Sequence, residues 1–233
     1  MITERPCVVV VIPAFNEGRV IGDVLASVLA LGYTVVVVDD GSTDDTAAVA
    51  ATHAVHLLRH ACNLGAGAAT RTGIEYAIDV LGAPIIATFD SDGQHAAADI
   101  QRILAPLEAG THDIVLGTRF ASAVDATTRR EMPRTKHLLL RAAVLFTRLT
   151  TGLPLTDTHI GLRAFTATAV RGMTLEQNRM AHCSEFEQEI ARHNLRWREV
   201  PVSVGYSAYA VHKGQGVLNS IDIIWELLAV KMR

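Results

Sequence analysis

Apolar residues in the first half of this chain alternate between two patterns: short unbroken runs, and longer stretches in which they recur every three or four positions. Residues 7–12 form an unbroken run, β-branched from Val8 to Ile12, which predicts a strand buried on both faces. Over 18–31, Val20, Val24 and Val28 lie beside Ile21, Leu25 and Leu29, two adjacent i, i+4 rows that make one helical face. Residues 34–38 repeat the strand pattern. Ser42 follows as the expected cap of a second helix, with Asp45 three residues on completing a capping box. Further strands are expected at 55–58, 85–89 and 113–116, with a helix ending near residue 78 and another at 98–109. Such alternation builds an α/β fold, a mostly parallel central sheet flanked by helices, with ligands at the carboxyl ends of the strands.

Beyond residue 120 the pattern is less regular. Arg129, Arg130, Arg134, Lys136, Arg141 and Arg148 crowd one stretch with Glu131 as its acid, and Leu138, Leu139, Leu140, Val144, Phe146 and Leu149 make its later part a helix both basic and apolar. Residues 184–193 read as helix, 197–204 as strand and 217–232 as an apolar-rich final helix. Without repeats, low-complexity segments or a linker, residues 1–233 are expected to form one domain, with a ligand-binding half (1–120) and a second half (121–233).

Composition narrows the function. Hydrophobic residues make up 49% and charged residues 19%, which argues against disorder, and a formal net charge of −3 leaves no excess of cations for a general nucleic-acid binder. Cys7, Cys62 and Cys183 are far apart and form no CxxC pair, so reduced thiols in the cytoplasm are expected rather than a zinc knuckle or disulfide framework. The N-terminal apolar run is short and broken by Pro13 and Asn16, and nowhere do about 18 apolar residues run together. The expected location is therefore cytoplasmic, and contact with a membrane would be from its cytoplasmic face.

Three polar clusters each follow a predicted strand. Asp90-Ser91-Asp92-Gly93-Gln94-His95 puts two carboxylates one residue apart at a strand end, where they could share a hard divalent cation with phosphate oxygens while Gln94 adds an amide oxygen. An acidic turn shaped by Asp and Gly for backbone reasons is the competing reading. Asp39-Asp40-Gly41-Ser42-Thr43-Asp44 could accept hydrogen bonds from a nucleoside, and Pro13-Ala14-Phe15-Asn16-Glu17 pairs a turn with an acid able to bond a ribose hydroxyl. The small residues from Asn63 through Gly65 and Gly67 permit close backbone approach, but they match neither the dinucleotide fingerprint nor a Walker A loop. His53, His56, His60, His112, His137 and His193 read as surface or capping residues, and Trp197 and Trp225 as core or interface.

Taken in order, Pro13-x-Phe15-Asn16-Glu17, Asp39-Asp40-Gly41-Ser42-Thr43-Asp44-x-Thr46, Asn63-x-Gly65-x-Gly67, the Asp90–His95 cluster and Gly117-Thr118-Arg119 resemble glycosyltransferase family 2, which has the GT-A fold. Asp92-Gly93-Gln94-His95 and Thr156-Asp157-x-x-x-Gly161-Leu162-Arg163-Ala164-Phe165 are similar to motifs of its polyprenyl (dolichyl) phosphate mannose or glucose synthases. The resemblance implies inverting transfer of a sugar from a GDP- or UDP-sugar. Pro13, Phe15, Glu17, Asp39, Asp40, Asn63, Gly65, Gly67, Asp90 and Ser91 would bind the donor nucleotide, and Asp90, Asp92 and Gln94 would hold Mg²⁺ or Mn²⁺. Asp92 and Asp157 are the catalytic candidates, with Arg119, Arg134, Lys136, Arg163 and Lys213 on the acceptor side, where a lipid phosphate at the membrane surface is the expected partner. The synthase element Arg-x-x-Gly-x-Ser-Lys is absent; the corresponding stretch runs from Tyr206 to Gly216. The final helix leaves room for a homo-oligomer.

A phosphate acceptor is already anionic and needs no strong base. A hydroxyl acceptor on a soluble saccharide or small molecule would need one, with Asp157 the first candidate and Glu185 and Glu187 behind it. Rival readings are a haloacid-dehalogenase-type phosphotransferase, a nucleotidyltransferase and a non-catalytic nucleotide-sugar-binding protein. The first would place its acidic motif at the start of the fold, and the second would want a Gly-rich basic loop where Pro13–Glu17 lies.

Overall fold

The computed structural model describes residues 7–120, 134–158, 160–179 and 182–205, in backbone alone over 134–140. Strands β1 (Val8–Ala14), β2 (Thr34–Asp39) and β3 (His56–Arg59) pair in parallel, and β4 (Ile85–Thr88) joins β1 on its other edge, also in parallel. Helices α1 (Ile21–Leu29), α2 (Thr46–Ala50) and α3 (Ala66–Asp79) make the crossovers between them. Then come α4 (Asp99–Glu108), β5 (Ile114–Thr118), α5 (Arg134–Thr151), β6 (Arg163–Thr166), α6 (Ala167–Arg171), α7 (His182–Arg192) and β7 (Trp197–Pro201). Among the described residues, seven strands form one sheet in the order β3-β2-β1-β4-β6-β5-β7.

The unbroken apolar runs are what a two-faced burial requires. Val8, Val10, Ile12, Val35 and Val37 pack with Ile21, Leu25, Val28, Ile100 and Ile103 of α1 and α4. Val9, Val11, Val36 and Val38 face the opposite layer, with Ala69, Ile74 and Ala77 of α3 and Phe186 and Ile190 of α7. A Cβ on Gly73 would strike Val11 and crowd Val38, so this glycine lets α3 lie close against β1 and β2.

One expectation changes, and one strand was not expected. Ser42 caps no helix: α2 begins only at Thr46, where Asp44 Oδ1 accepts from the Thr46 N–H (3.0 Å) and hydroxyl. Ser42 instead accepts the Asn16 N–H and donates its own N–H to Asp39 Oδ1, lacing the β1 and β2 loops together. The unexpected strand is β6, antiparallel to both β4 and β5. Its four residues are too few to show a period, and Arg163 at their head hides the buried character of the strand. Because β6 runs backwards, the segment that enters it lies at the carboxyl ends of its neighbours, beside the polar clusters.

Candidate active site

The β1, β2 and β4 loops converge as their positions required. Glu17 N–H donates to Thr46 Oγ1 (2.7 Å), Gly18 N–H to Asp44 Oδ2 (3.0 Å) and Thr43 N–H to Asn16 Oδ1 (2.9 Å). Pro13 is half-buried, Phe15 is exposed and Glu17 is buried facing the β4 loop, where its charge reaches Asp92. Asp39 and Asp40 are both buried, and both are engaged within the protein. Asp39 Oδ2 accepts from Arg59 Nε at 2.9 Å. Asp40 Oδ1 accepts from His60 Nδ1 (2.7 Å) and Leu64 N–H (2.9 Å), and Oδ2 from Gly65 N–H (2.7 Å). His60 therefore anchors this loop rather than capping a surface. An acid directly after a buried strand, with a histidine after the neighbouring strand, was the available signal.

The small-residue segment around Gly65 and Gly67 lies under residues 173–179. A Cβ on Gly65 would collide with the Asn178 carbonyl, and one on Gly67 with the Gln177 carbonyl. Asn178 O accepts from Gly67 N–H (2.8 Å) and Ala68 N–H (3.2 Å), satisfying donors at the start of α3 that a helix leaves open. Arg71 donates to Leu175 O (2.7 Å), while Glu185 and Glu189 of α7 accept from the backbone of Thr174, Glu176 and Gln177. Asn63 is exposed.

At the carboxyl end of β4, Asp90 sits directly against Gly161, where any side chain would overlap its carboxylate. His95 Nε2 lies 3.1 Å from Asp90 Oδ2, with His95 almost wholly buried and Asp90 39% exposed. Burial raises the proton affinity of Asp90, but the hydrogen bond and charge of His95, then the charges of Arg163 and His182, leave it below the usual carboxylate value. Asp92 goes the other way: burial first, then the charge of Asp90, with Glu17 behind, push it up against opposition from the Gln94 N–H and His95. Gln94 donates to Asp92 through its backbone N–H (3.0 Å) and its amide (2.6 Å). Ser91 is buried.

Among the described residues no three His, Cys, Asp or Glu side chains are grouped to cage a metal ion. Asp90 and Asp92 instead offer two carboxylates whose mutual repulsion a cation would relieve. That donor set fits an ion such as Mg²⁺, which binds through one or two carboxylates and takes its remaining ligands from phosphate and water.

Of the residues expected on the acceptor side, Arg119 follows β5 and is fixed by Asp157. The Asp157 carboxylate accepts from Arg119 N–H (3.0 Å), Nε (2.7 Å) and Nη2 (2.6 Å), with side chains 0% and 7% exposed. Arg163 is buried with its guanidinium 5.2 Å over the Phe186 ring. Glu187 and Glu189 are buried nearby, and Glu185 is taken up by the 173–179 segment. Arg134 and Lys136 lie in the first turn of α5, described in backbone alone. Lys213, Trp225 and the helix at 217–232 lie outside the described residues. The last described residue, Gly205, donates its N–H to Gln94 O (2.8 Å), and Val204 bridges His95, so the chain beyond β7 departs from beside the Asp90 loop.

Comparison with known proteins resolves the class. Residues 9–173 match the model of "Glycosyl transferase family 2". The chain belongs to glycosyltransferase family 2. This family 2 transferase is 31% identical to the UDP-N-acetylglucosamine–dolichyl-phosphate N-acetylglucosaminyltransferase of Methanococcus voltae, over 95% of each chain. It is 27% identical to the polyprenol monophosphomannose synthase of Mycolicibacterium smegmatis, covering 92% of this chain and 84% of the relative. An uncharacterised protein of Methanocaldococcus jannaschii is 35% identical over 96% of this chain and 91% of its own. In fold it is similar to glucosyl-3-phosphoglycerate synthase of Mycobacterium tuberculosis, solved with phosphoglyceric acid (TM-score 0.72) and with Mg²⁺ and UDP (TM-score 0.71); each is 18% identical and covers 96% of this chain and 79% of the other. The phosphotransferase, nucleotidyltransferase and non-catalytic readings fall away: this is a glycosyltransferase with a GT-A fold.

Proposed function

We propose that this transferase moves a sugar, with inversion, from a UDP- or GDP-sugar to a polyprenyl phosphate, in a single domain that works at the cytoplasmic face of a membrane. The observation that carries the choice of acceptor is the state of the three candidate bases. Asp157 is closed onto Arg119, Glu185 onto backbone N–H groups, and Glu187 is buried with its proton affinity pushed well up by desolvation. A hydroxyl acceptor needs an open base within reach, whereas a phosphate monoester brings its own anion. Two relatives are named for transfer to dolichyl phosphate and for polyprenol monophosphomannose synthesis, which supports the same choice.

The loops after β1 and β2, with Glu17, Asp39, Asp40 and the 63–67 segment, would seat the nucleoside. Asp90, Asp92 and Gln94 would hold Mg²⁺ or Mn²⁺, which when bound neutralises charge developing on the departing diphosphate. In the fold neighbour both UDP and such ions are present. An acceptor phosphate oxygen attacks the anomeric carbon in line as the bond to the diphosphate breaks. Arg119, held in place by Asp157, and Arg163, Arg134, Lys136 and Lys213 would orient the acceptor's negative charge. Leu145 and Leu149 of α5 are 59% and 78% exposed beside exposed Arg141 and Arg148, a surface suited to anionic lipid. Among the described residues no helix is long and apolar enough to cross a membrane.

The test is incubation of the purified protein with UDP-N-acetylglucosamine, UDP-glucose or GDP-mannose, Mn²⁺ and undecaprenyl phosphate in detergent micelles. One donor is expected to give a lipid-extractable sugar phosphate, abolished by EDTA and restored by Mn²⁺. Transfer to 3-phosphoglycerate or a free saccharide, with none to lipid, would overturn the proposal.

A further inference from the structure

Glu199 belongs to none of the motifs that mark the family site. It lies on β7 in register with Leu116 of β5, two residues before the strand end that delivers Arg119. On a strand it shares a face with Trp197, which packs against the core, so its carboxylate points where an apolar residue would be expected. There it accepts three hydrogen bonds from one turn: Oε1 from Thr156 N–H (2.7 Å) and Asp157 N–H (3.1 Å), and Oε2 from the Thr156 hydroxyl (2.8 Å). The Thr156 hydroxyl also lies 2.7 Å from Thr118 Oγ1, which in turn accepts the Phe120 N–H at 3.2 Å. The same turn presents Asp157 to Arg119, where three contacts of 3.0 Å or less fix both the backbone and the guanidinium of the arginine.

Residues 156 and 157 belong to no helix or strand, so their N–H groups have no ladder to satisfy them. One carboxylate supplies that satisfaction: burial raises its proton affinity, and the donors of Thr156 and Asp157 oppose this by favouring the anion, which makes the stronger kind of hydrogen bond. The orientation of Arg119 is thus set two steps away, on the neighbouring strand. A carboxylate needed only to fill space at this strand face could be replaced by its amide with little consequence. One needed to hold the turn could not, because the amide keeps an oxygen for the two N–H groups but gives up the anion's stronger hydrogen bonds, and turns N–H donors instead of an acceptor toward the Thr156 hydroxyl.

We infer that Glu199 is a positioning residue for the acceptor: through Thr156 and Asp157 it holds the Arg119 guanidinium in the orientation that receives the acceptor's anionic group. This rests on the reading of Arg119 as an acceptor-side contact. Its test is the steady-state kinetics of Glu199→Gln with undecaprenyl phosphate as acceptor. The KM for the acceptor should rise about tenfold, while the donor KM, turnover at saturating acceptor and calorimetric affinity for Mn²⁺–UDP stay at wild-type values. Thr156→Val should reproduce part of the rise, and Thr156→Ser, which keeps the hydroxyl, should keep the wild-type KM. The double variant Glu199→Gln/Thr156→Val should fall short of the product of the two single effects, since both act on one path. A folded Glu199→Gln with an unchanged acceptor KM, or a loss shared equally by both substrates, overturns the inference. If the wild-type protein transfers nothing to undecaprenyl phosphate, the acceptor reading fails on its own. The positioning claim is then read from the ¹⁵N resonance of Arg119 Nε–H, which Glu199→Gln should shift or broaden; an unmoved resonance refutes it.

Discussion

Asp92 titrates above the ordinary carboxylate value because burial, the charge of Asp90 and, more weakly, Glu17 disfavour its anion. With the folded value above the unfolded one, its contribution to stability is complete below the unfolded pKa and is lost as pH climbs through the folded value. Asp92→Asn is therefore expected to raise the melting temperature of the metal-free protein at pH 7. The same change should lower turnover about a hundredfold or more, since a metal's charge stabilisation is worth several kcal/mol. Melting followed by circular dichroism and a donor-consumption assay check the two halves separately. Gly161 makes a second residue-scale case. Its Cβ space is filled by the Asp90 carboxylate, so Gly161→Ala should displace that side chain and weaken Mn²⁺ binding in the presence of UDP, read by electron paramagnetic resonance, without loss of secondary structure. The place of the carboxylate pair at a strand end was legible in the sequence, although by itself it read as an acidic turn as readily as a cation site. The dependence on Gly161 was not, because it is a contact between segments some seventy residues apart.

At the scale of elements, the early strands were readable because each buries both faces and so shows as an unbroken β-branched run. β6 was not, since four residues headed by an arginine carry no period, and its direction is set by pairing with β4 and β5 rather than by anything local. Ser42 misled for a related reason: its hydroxyl had two possible uses, and the neighbouring loop took it before a helix could. The small residues at the start of α3 suggested close approach to a ligand, and what approaches in the structure is the protein's own 173–179 segment. Gly67→Ala should force the Gln177 carbonyl to retreat, at a cost of about 1–3 kcal/mol typical of overpacking. Urea denaturation would show the midpoint falling with little change in slope. An unaltered midpoint would mean that this segment yields freely.

For the molecule as a whole, pH dependence has a buried source. Desolvation pushes Glu187 well above its ordinary value, with Arg163 opposing and Cys183 and Asp157 reinforcing, and its Oε2 has no hydrogen-bond partner among the described residues. The folded state keeps this proton while the unfolded chain has lost it, so stability should decline from the ordinary glutamate range upward, by at most about 1.4 kcal/mol per pH unit. Glu187→Gln should flatten that decline and leave the protein more stable than wild type at pH 8, as measured by denaturant midpoints across pH. Half-buried Asp113, held low first by its hydrogen bond to Arg196, contributes in the opposite sense, losing its stabilisation as the solution becomes acid. The reversed strand β6 has a further bearing on how such an enzyme could be re-engineered. The short stretch that enters it carries Asp157 at one end and, four residues later, the glycine against which Asp90 rests. The proposed donor and acceptor half-sites therefore share a wall, and neither would be a detachable module. A chimera meant to accept a new acceptor by importing residues 156–163 from a relative would have to import the 90–95 loop as well, or disturb metal binding along with acceptor choice.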